Sequence, residues 1–187
     1  MGYAGGKKES PTYHSLGDHT ETIQIDYDPT LISYEELLDV FWESHSPTEP
    51  SWSRQYMSAV FFHNGEQKRL AMETREREAA KRGGKIFTEI ISFNAFYLAE
   101  PYHQKYRLRQ EQTMLKEYSV TYPNPNDFVN STATARVNGF LDGYGTFEAL
   151  QAEISGFGLS PEGSKKLLDI VHARNHLQKR WDLGVVS

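Results

Sequence analysis

Apolar and polar residues alternate from Thr22 to Tyr27, where the sequence reads Thr-Ile-Gln-Ile-Asp-Tyr. Alternation with a period of two residues is typical of a β-strand that has one buried face, so the pattern predicts a strand with Ile23 and Ile25 pointing inward. Further on, Ser33 and Glu36 form a capping-box pattern ahead of a wide apolar stripe, which predicts a helix. The pattern therefore predicts a strand followed by a helix.

The remaining chain continues these patterns. Apolar runs of strand length are bounded by polar residues, and stretches rich in Glu, Lys, Arg and Ala are typical of surface helices. The predicted strands lie within 54–63 and 86–91, and the predicted helices lie within 66–82, 100–115, 130–141, 146–154 and 160–180. A linker rich in Pro and Asn occupies 121–127. We therefore predict an α/β protein with a main domain at 1–120 and a helical extension at 121–187.

The composition restricts the classes of function. The formal net charge is −5 with acidic and basic residues interspersed, so no basic face for a nucleic acid is predicted. No apolar run approaches the roughly 20 residues of a membrane span, and no basic segment followed by an apolar one begins the chain. We expect a soluble cytoplasmic protein without a membrane partner, unless an organellar targeting segment has been lost upstream.

The chain contains no cysteine. A disulfide, a thiolate metal site, an iron–sulfur cluster and a cysteine nucleophile therefore cannot be built from these residues. No bound cofactor is expected.

Proton donors and acceptors concentrate in the turn-forming segment 11–21, directly before the first predicted strand. Tyr13, His19 and Glu21 lie close together in this segment, and Tyr56 opens the next predicted strand. A tyrosine can hold an oxygen atom by a hydrogen bond, and a carboxylic acid kept protonated by burial can donate a proton to it. The two tyrosines and the glutamate therefore suit an acid-assisted reaction at a polarised oxygen.

Other interpretations of this segment stay open. The tyrosines could be packing residues, with Asp18 and Glu21 capping a turn. A zinc site could use His14, Asp18 and His19, but no H-E-x-x-H or Cys/His spacing supports it, and we predict no metal. A glycosidase-like carboxylate pair has less support, because nothing in the sequence fixes two carboxylates at a working separation.

Short segments spread over residues 2–106 follow one another in a characteristic order. They are Gly2-Tyr3-Ala4-Gly5-Gly6, Pro11-Thr12-Tyr13, His19-Thr20-Glu21, Tyr27-Asp28-Pro29, Ile32-Ser33-Tyr34, Phe41-Trp42, Arg54-Gln55-Tyr56, Ser58-Ala59, Thr88-Glu89-Ile90, Phe96-Tyr97, Ala99-Glu100 and Tyr102-His103-Gln104. In this order they resemble the A-type peptide methionine sulfoxide reductases, which reduce the S epimer of methionine sulfoxide. Each segment alone is weak evidence for this family, whereas the ordered set is specific to it.

The resemblance implies a fold and a set of roles. The fold would be a two-layer, ferredoxin-like α/β sandwich around a mixed sheet, here with a small C-terminal helical appendage. In the family a thiolate attacks the sulfoxide sulfur while a buried glutamic acid, assisted by two tyrosine hydroxyls, protonates the departing oxygen. Glu21 matches the acid, and Tyr13 and Tyr56 match the tyrosines. We predict that Tyr13, Tyr56 and His19 bind the substrate.

The resemblance also implies partners. The substrates would be methionine-sulfoxide peptides or proteins. Thioredoxin or another dithiol would serve the complete enzyme as reductant, and a monomer is expected.

The sequence departs from the family pattern in three ways. The Gly-Cys-Phe-Trp segment that carries the nucleophile and an aromatic pocket, and that normally lies upstream of the segment matching Gly2, is absent from these residues. An aspartate often found before the second tyrosine is missing, and Ser51 stands near its place. The segment from Tyr13 to Glu21 is shorter than in members with a resolving cysteine, and it resembles a branch that reads Leu-Gly-Asp-His-Thr-Glu there.

These observations leave two hypotheses of different kinds. The first is a reductase by descent whose catalytic front end is lost or truncated, so that this chain alone does not turn over. The second is a pseudoenzyme that binds methionine sulfoxide or a partner protein without reducing anything. In the family fold the strand upstream of the segment matching Gly2 is central, and in either case its absence predicts a weakened fold, or residues 1–6 placed at the edge of a sheet.

Overall fold

The computed structural model describes residues 1–182, with side chains described as far as Arg174. The chain divides into two compact units, one from Met1 to Glu100 and one that begins at Pro101. This division falls earlier in the chain than the predicted boundary at residue 120. Where the family domain itself ends stays a prediction.

The first unit alternates short strands with two longer helices. Its elements are β1 (Gly2–Ala4), β2 (Thr20–Thr22), α1 (Tyr34–Glu43), a 3-10 helix (Arg54–Tyr56), β3 (Ala59–Phe62), α2 (Gly65–Arg82), β4 (Glu89–Ser92) and β5 (Phe96–Leu98).

The strands of the described chain form two sheets rather than the single mixed sheet expected. In the first sheet, β1 lies between β2 and β5 and is antiparallel to both, and in the second sheet β3 and β4 are parallel. Every residue of β1 is buried, so the prediction that residues 1–6 occupy an edge is wrong. The predicted α/β class, with parallel and antiparallel pairing in one protein, is confirmed.

Helix α1 begins at the predicted capping box. The Ser33 hydroxyl accepts a hydrogen bond from the Glu36 amide at 3.2 Å, and the Glu36 carboxylate accepts one from the Ser33 amide at 2.7 Å. Behind this cap, Leu38 and Trp42 are buried in a cluster that also contains Val60 of β3 and Ala71 of α2. Both helices therefore pack against the parallel sheet.

The strand predicted over Thr22–Tyr27 is only partly present. Strand β2 ends at Thr22, and residues 23–27 pair with no strand of the described chain. Ile23 is 69% exposed and Ile25 is 53% exposed, so the predicted inward orientation is wrong. A strand needs a neighbouring backbone to pair with and a second layer to cover one of its faces. Residues 23–27 have neither within the part of the chain that the structure describes.

The second unit is helical. Its α-helices are α3 (Tyr106–Arg109), α4 (Gln112–Thr121), α5 (Pro125–Asn130), α6 (Thr132–Asp142), α7 (Phe147–Glu153) and α8 (Pro161–Asp182), with 3-10 helices at Pro101–His103 and Ile154–Phe157. Buried side chains from several of these helices, including Met114, Val137, Leu150 and Leu167, form one apolar cluster. Among the described helices none is long and apolar enough to cross a membrane.

Two predictions for this unit need correction. The segment predicted as one helix over 100–115 is broken into three short helices. The prediction missed the breaks because the aromatic and apolar spacing there does not reveal the turns between them. The predicted linker at 121–127 contains the start of α5, where the Asn124 side chain accepts a hydrogen bond from the Asn126 amide at 2.9 Å and Pro125 takes the first turn. Asn and Pro act there as a helix cap rather than as a linker.

Gly2 is required by the close approach of β1 to β5. A Cβ atom at this position would lie 2.3 Å from the Tyr97 carbonyl oxygen and 2.4 Å from the Phe96 ring. We predict that Gly2→Ala lowers the free energy of unfolding by about 1–3 kcal/mol, because the strands must separate to admit a methyl group. Urea denaturation followed by tryptophan fluorescence measures this loss.

Gly65 provides the matched control in the same unit, since a Cβ atom there meets nothing within 4 Å. Gly65→Ala should change stability by no more than about 0.5 kcal/mol. Equal stability of the two variants would contradict the close packing of β1 on β5.

Candidate active site

Glu21 lies in the middle of β2, opposite Tyr3 of β1. Its Oε1 atom accepts a hydrogen bond from the Gln55 side-chain amide at 2.7 Å. The same amide nitrogen lies 3.1 Å from the Tyr56 hydroxyl oxygen. Because an amide NH2 has two hydrogens, Gln55 can bridge the carboxylate and the phenol at once.

The Tyr13 hydroxyl reaches the same cluster from the turn that precedes β2. A hydrogen bond with Tyr13 is the largest effect on Tyr56, and it raises the pKa of the Tyr56 hydroxyl above its ordinary value of 10.0. The Gln55 amide therefore bridges the Glu21 carboxylate and the Tyr56 phenol, and the Tyr13 phenol joins this cluster through Tyr56. The structure brings together Tyr13, Glu21 and Tyr56, the three residues that the sequence proposed for an oxygen site.

Glu100 fixes the position of Tyr13. Its carboxylate accepts a hydrogen bond from the Tyr13 backbone amide at 3.0 Å and another from the Tyr3 hydroxyl at 2.7 Å. Tyr3 is fully buried in the central strand. The carboxylate thus attaches the turn to the buried central strand of the sheet, and hydrogen bonds to charged groups are among the stronger ones in proteins.

The 3-10 helix that carries Gln55 and Tyr56 is attached to β2. The buried Thr20 hydroxyl lies 2.7 Å from the Arg54 carbonyl oxygen and 3.0 Å from the Gln55 carbonyl oxygen. In addition, the Arg54 guanidinium donates to the Asp18 carbonyl oxygen at 2.8 Å. These contacts set the separation between the Glu21 carboxylate and the Tyr56 hydroxyl.

His19 and Asp18 hold the turn itself. His19 is 1% exposed, and its Nδ1 atom accepts a hydrogen bond from the Gly6 amide at 3.1 Å. An Nδ1 that accepts has no proton, so the Nε2 atom carries it and donates to the Lys8 carbonyl oxygen at 2.8 Å. Asp18 accepts hydrogen bonds from the backbone amides of Lys7 and Lys8, and the Lys7 bond is the main cause of its lowered pKa.

The turn contacts bear on two sequence interpretations. Substrate binding by His19 stays a prediction that the geometry does not favour, because both ring nitrogens already bond to the backbone. Within the residues that the structure describes, no group of three or more His, Cys, Asp or Glu side chains is placed to hold a metal ion. The zinc interpretation of His14, Asp18 and His19 gains no support from this arrangement.

Three residues near the site were not selected by sequence reasoning. Gln55 and Glu100 occur inside the quoted family segments, and that membership was the only signal available for them. Trp52 is 83% exposed, and its ring centroid lies 5.1 Å from that of Tyr56. An exposed tryptophan beside a polar cluster offers a flat apolar wall for a ligand.

The arrangement can bind and protonate a ligand oxygen. Two neutral phenols are hydrogen-bond donors at neutral pH, and a carboxyl group beside them is a proton donor whenever it is in its acid form. The Gln55 amide fixes the orientation of the carboxyl group and of one phenol. A polarised oxygen with a weakly polar substituent is therefore the type of group that this site suits.

Comparisons with known proteins show which family this chain resembles. A family model described as peptide methionine sulfoxide reductase matches residues 1–136. A peptide methionine sulfoxide reductase of Drosophila melanogaster is 43% identical over 164 residues, which cover 86% of this chain and 65% of that protein. The peptide methionine sulfoxide reductase MsrA of Methanosarcina acetivorans is 42% identical over 118 residues, covering 57% of this chain and 62% of that protein.

A solved structure shows the same likeness. The crystal structure of Mxr1 from Saccharomyces cerevisiae in reduced form is 34% identical, has a TM-score of 0.54, and covers 59% of this chain and 69% of that one. The chain therefore belongs to the peptide methionine sulfoxide reductase family, as the ordered segments indicated. It spans 65% or less of the length of the curated relatives named above.

The attachment of the 3-10 helix to β2 generates a prediction about Thr20. Replacing Thr20 with Val keeps the shape of the side chain and removes the hydroxyl, which leaves two carbonyl oxygens without this donor. We expect the free energy of unfolding to fall by about 1–3 kcal/mol in urea denaturation.

Thr22→Val on the same strand is the matched control. In the described part of the chain, the one bond of the Thr22 hydroxyl is to the Thr20 carbonyl oxygen, at 3.1 Å, so its removal should change stability by less than about 1 kcal/mol. If Thr20→Val were no more destabilising than Thr22→Val, the attachment of the 3-10 helix through Thr20 would be disproved.

Proposed function

We propose that this chain carries the oxygen-binding half of a peptide methionine sulfoxide reductase site. The observation that carries the proposal is a cluster in which the Gln55 amide bridges the Glu21 carboxyl and the Tyr56 hydroxyl, and the Tyr56 hydroxyl bonds with the Tyr13 hydroxyl. Membership of the family gives this cluster a substrate class, which is methionine sulfoxide in peptides and proteins.

In the proposed reaction, Tyr13 and Tyr56 donate hydrogen bonds to the sulfoxide oxygen. A thiolate attacks the sulfoxide sulfur and forms a sulfur–sulfur bond, and the oxygen, protonated by Glu21 in its acid form and by a second proton from solvent, leaves as water when the sulfur–oxygen bond breaks. A water molecule then attacks the thiol-derived sulfur, which breaks the sulfur–sulfur bond and releases one proton. The thiol sulfur becomes a sulfenic acid while the sulfoxide becomes a thioether, so one group is oxidised as the other is reduced. Glu21 must be protonated for this step, because an ionised carboxylate would repel both the thiolate and the oxygen.

The thiol has to come from outside these residues, since the chain contains no cysteine. The hydroxyl, amide, imidazole and carboxylate groups that remain are poor substitutes for a soft sulfur nucleophile. We therefore propose that these residues alone do not reduce methionine sulfoxide. For the complete enzyme we propose thioredoxin or another dithiol as the electron source.

Trp52 adds an apolar contact to the proposal. Its exposed ring stands beside Tyr56, where it would meet the methyl or methylene groups on the sulfoxide sulfur. Sulfur and its substituents pack favourably against aromatic rings. The site would then hold the oxygen with phenols and the carbon substituents with an indole.

A second candidate function is binding without reduction. It is favoured by one observation, namely that the oxygen-side groups are fully assembled in a chain without a thiol. In this case the chain would recognise oxidised methionine in a peptide and release it unchanged. The two candidates share the same binding site and differ only in whether a thiol is brought to it.

We predict that a peptide containing methionine-S-sulfoxide binds this chain more tightly than the same peptide with methionine. Tyr13→Phe and Glu21→Ala should each weaken sulfoxide binding by roughly fivefold, because each loses one hydrogen bond worth about 1 kcal/mol. Isothermal titration calorimetry with both peptides measures the difference.

Tyr144→Phe is the control, because Tyr144 is 72% exposed and lies in the helical unit; it should bind as the wild type does. Absence of sulfoxide binding in the wild type would disprove both candidate functions. Turnover of the sulfoxide peptide by the purified chain with dithiothreitol would disprove the proposal that these residues alone are inactive.

A further inference from the structure

His19 lies between the two contacts that attach the 3-10 helix Arg54–Tyr56 to the sheet. It directly precedes β2, whose first residue, Thr20, bonds through its hydroxyl to two carbonyl oxygens of that helix. On the other side of His19, the Asp18 carbonyl oxygen accepts a hydrogen bond from the Arg54 guanidinium. A displacement of His19 therefore disturbs both attachments.

The same imidazole closes the base of segment 7–18, which carries Tyr13. Its Nδ1 atom accepts a hydrogen bond from the Gly6 amide, and its Nε2 atom donates one to the Lys8 carbonyl oxygen. Because Gly6 follows β1 closely and His19 precedes β2, these two bonds join the ends of the segment. One side chain thus holds the segment of the first phenol and, through its neighbours, the helix of the second.

Only the neutral form of His19 fits both bonds. The Gly6 amide can only donate and the Lys8 carbonyl oxygen can only accept, so Nδ1 has to be without a proton. Protonation would set two N–H groups against each other where Nδ1 lies 3.1 Å from the Gly6 nitrogen. It would also charge a side chain that is 1% exposed, where the charge loses its hydration. Neither backbone group can reverse its role, so the conflict is relieved by moving the ring.

The surroundings of His19 offer little compensation for a positive charge. The titratable and charged groups near it are Asp18 beside it, Lys7 and Lys8 on the facing segment, Arg54 of the 3-10 helix, Glu21 of β2 and Tyr97 of β5. Three of these groups are cations, which repel a charged imidazole. The Asp18 carboxylate is already bonded to two backbone amides, and the charge of His19 is the smallest of the effects on the pKa of Asp18. The Glu21 carboxylate is bonded to the Gln55 amide.

We propose that His19 is an acid-sensitive switch of the candidate oxygen site, a role that rests on the proposed function. The neutral ring keeps segment 7–18 and the 3-10 helix in register. When the imidazole takes up a proton, the ring leaves its buried position, the Gly6 bond breaks, and both attachments of the 3-10 helix loosen. Glu100 still holds the Tyr13 amide, so the helix moves away from Tyr13 and the hydrogen bond between the two phenols is lost.

The site is closed at neutral pH and opens on acidification. A histidine in water takes up its proton near about pH 6.5, whereas the closed site holds the neutral ring. The ratio of open to closed form therefore rises about tenfold between about pH 7.5 and pH 5.5. The pKa of Asp18 is lowered, chiefly by its bond from the Lys7 amide, so this carboxylate stays ionised over the same interval. The change is then due to His19 and not to Asp18.

Amide hydrogen exchange of the full chain at both pH values tests the proposal. The measured quantity is the protection factor, the intrinsic exchange rate divided by the observed one, which removes the direct effect of pH on exchange. Protection should fall about tenfold at the lower pH for the Gly6 amide and for the Met57 amide, which bonds to the Arg54 carbonyl oxygen. The Phe93 amide, bonded to the Phe62 carbonyl oxygen in the parallel sheet region, should keep its protection.

Two variants assign the pH dependence to one residue. His19→Asn supplies an amide oxygen that can accept from the Gly6 amide and does not titrate, so protection at Gly6 and Met57 should change by less than about twofold between the two pH values. His14→Gln removes the exposed imidazole of the same segment and should keep the full change. Should His19→Asn not fold, the ring proton signals of His19 in the wild type replace it, and their titration midpoint has to coincide with the loss of Gly6 protection.

Four outcomes would overturn the proposal. Unchanged protection of Gly6 and Met57 would show that the site does not open, and an equal loss at Phe93 would show general unfolding. The same pH dependence in His19→Asn, or its disappearance in His14→Gln, would assign the change to another group. None of these measurements uses a sulfoxide, so failure of the switch and failure of sulfoxide binding are distinguishable.

Discussion

The hydrogen bonds between β2 and the Arg54–Tyr56 turn are the constraint on which the site depends. The Thr20 hydroxyl holds the backbone of this turn, and the Gln55 amide holds the Glu21 carboxylate at 2.7 Å. Neither Glu21 nor Tyr56 is placed by the hydrophobic core alone, because neither side chain is buried in it. The short polar contacts between two neighbouring segments therefore determine whether a carboxyl group and a phenol act on the same ligand atom.

Residue patterns predicted local structure well where one short segment contains the whole signal. The capping box of Ser33 and Glu36 is such a case. The family was predicted in another way, from the order of many short segments along the chain. Patterns failed where the outcome depends on a distant partner. Ile23 and Ile25 have the alternation of a buried strand face, but the second edge they require is supplied by no described strand.

The contribution of Glu100 could not be derived from spacing for the same reason. Its carboxylate bonds to Tyr3 and Tyr13, which are far away in the sequence and close only after the sheet has formed. His19 shows the opposite limitation, since an imidazole beside an aspartate suggests a ligand site until its two backbone partners are known. Proximity in sequence pointed to segment 11–21 as a whole. Only the fold distinguished Tyr13 and Glu21, which belong to the candidate oxygen site, from His19, which holds the turn.

The central claim is that the groups around Gln55 bind a sulfoxide oxygen. The most direct measurement is the nuclear magnetic resonance signal of the Gln55 side-chain amide, identified by its absence in Gln55→Glu. We predict a saturable shift of that signal when a methionine-S-sulfoxide peptide is added, and none with the corresponding methionine peptide. An unchanged signal, or the same shift with both peptides, would contradict the claim.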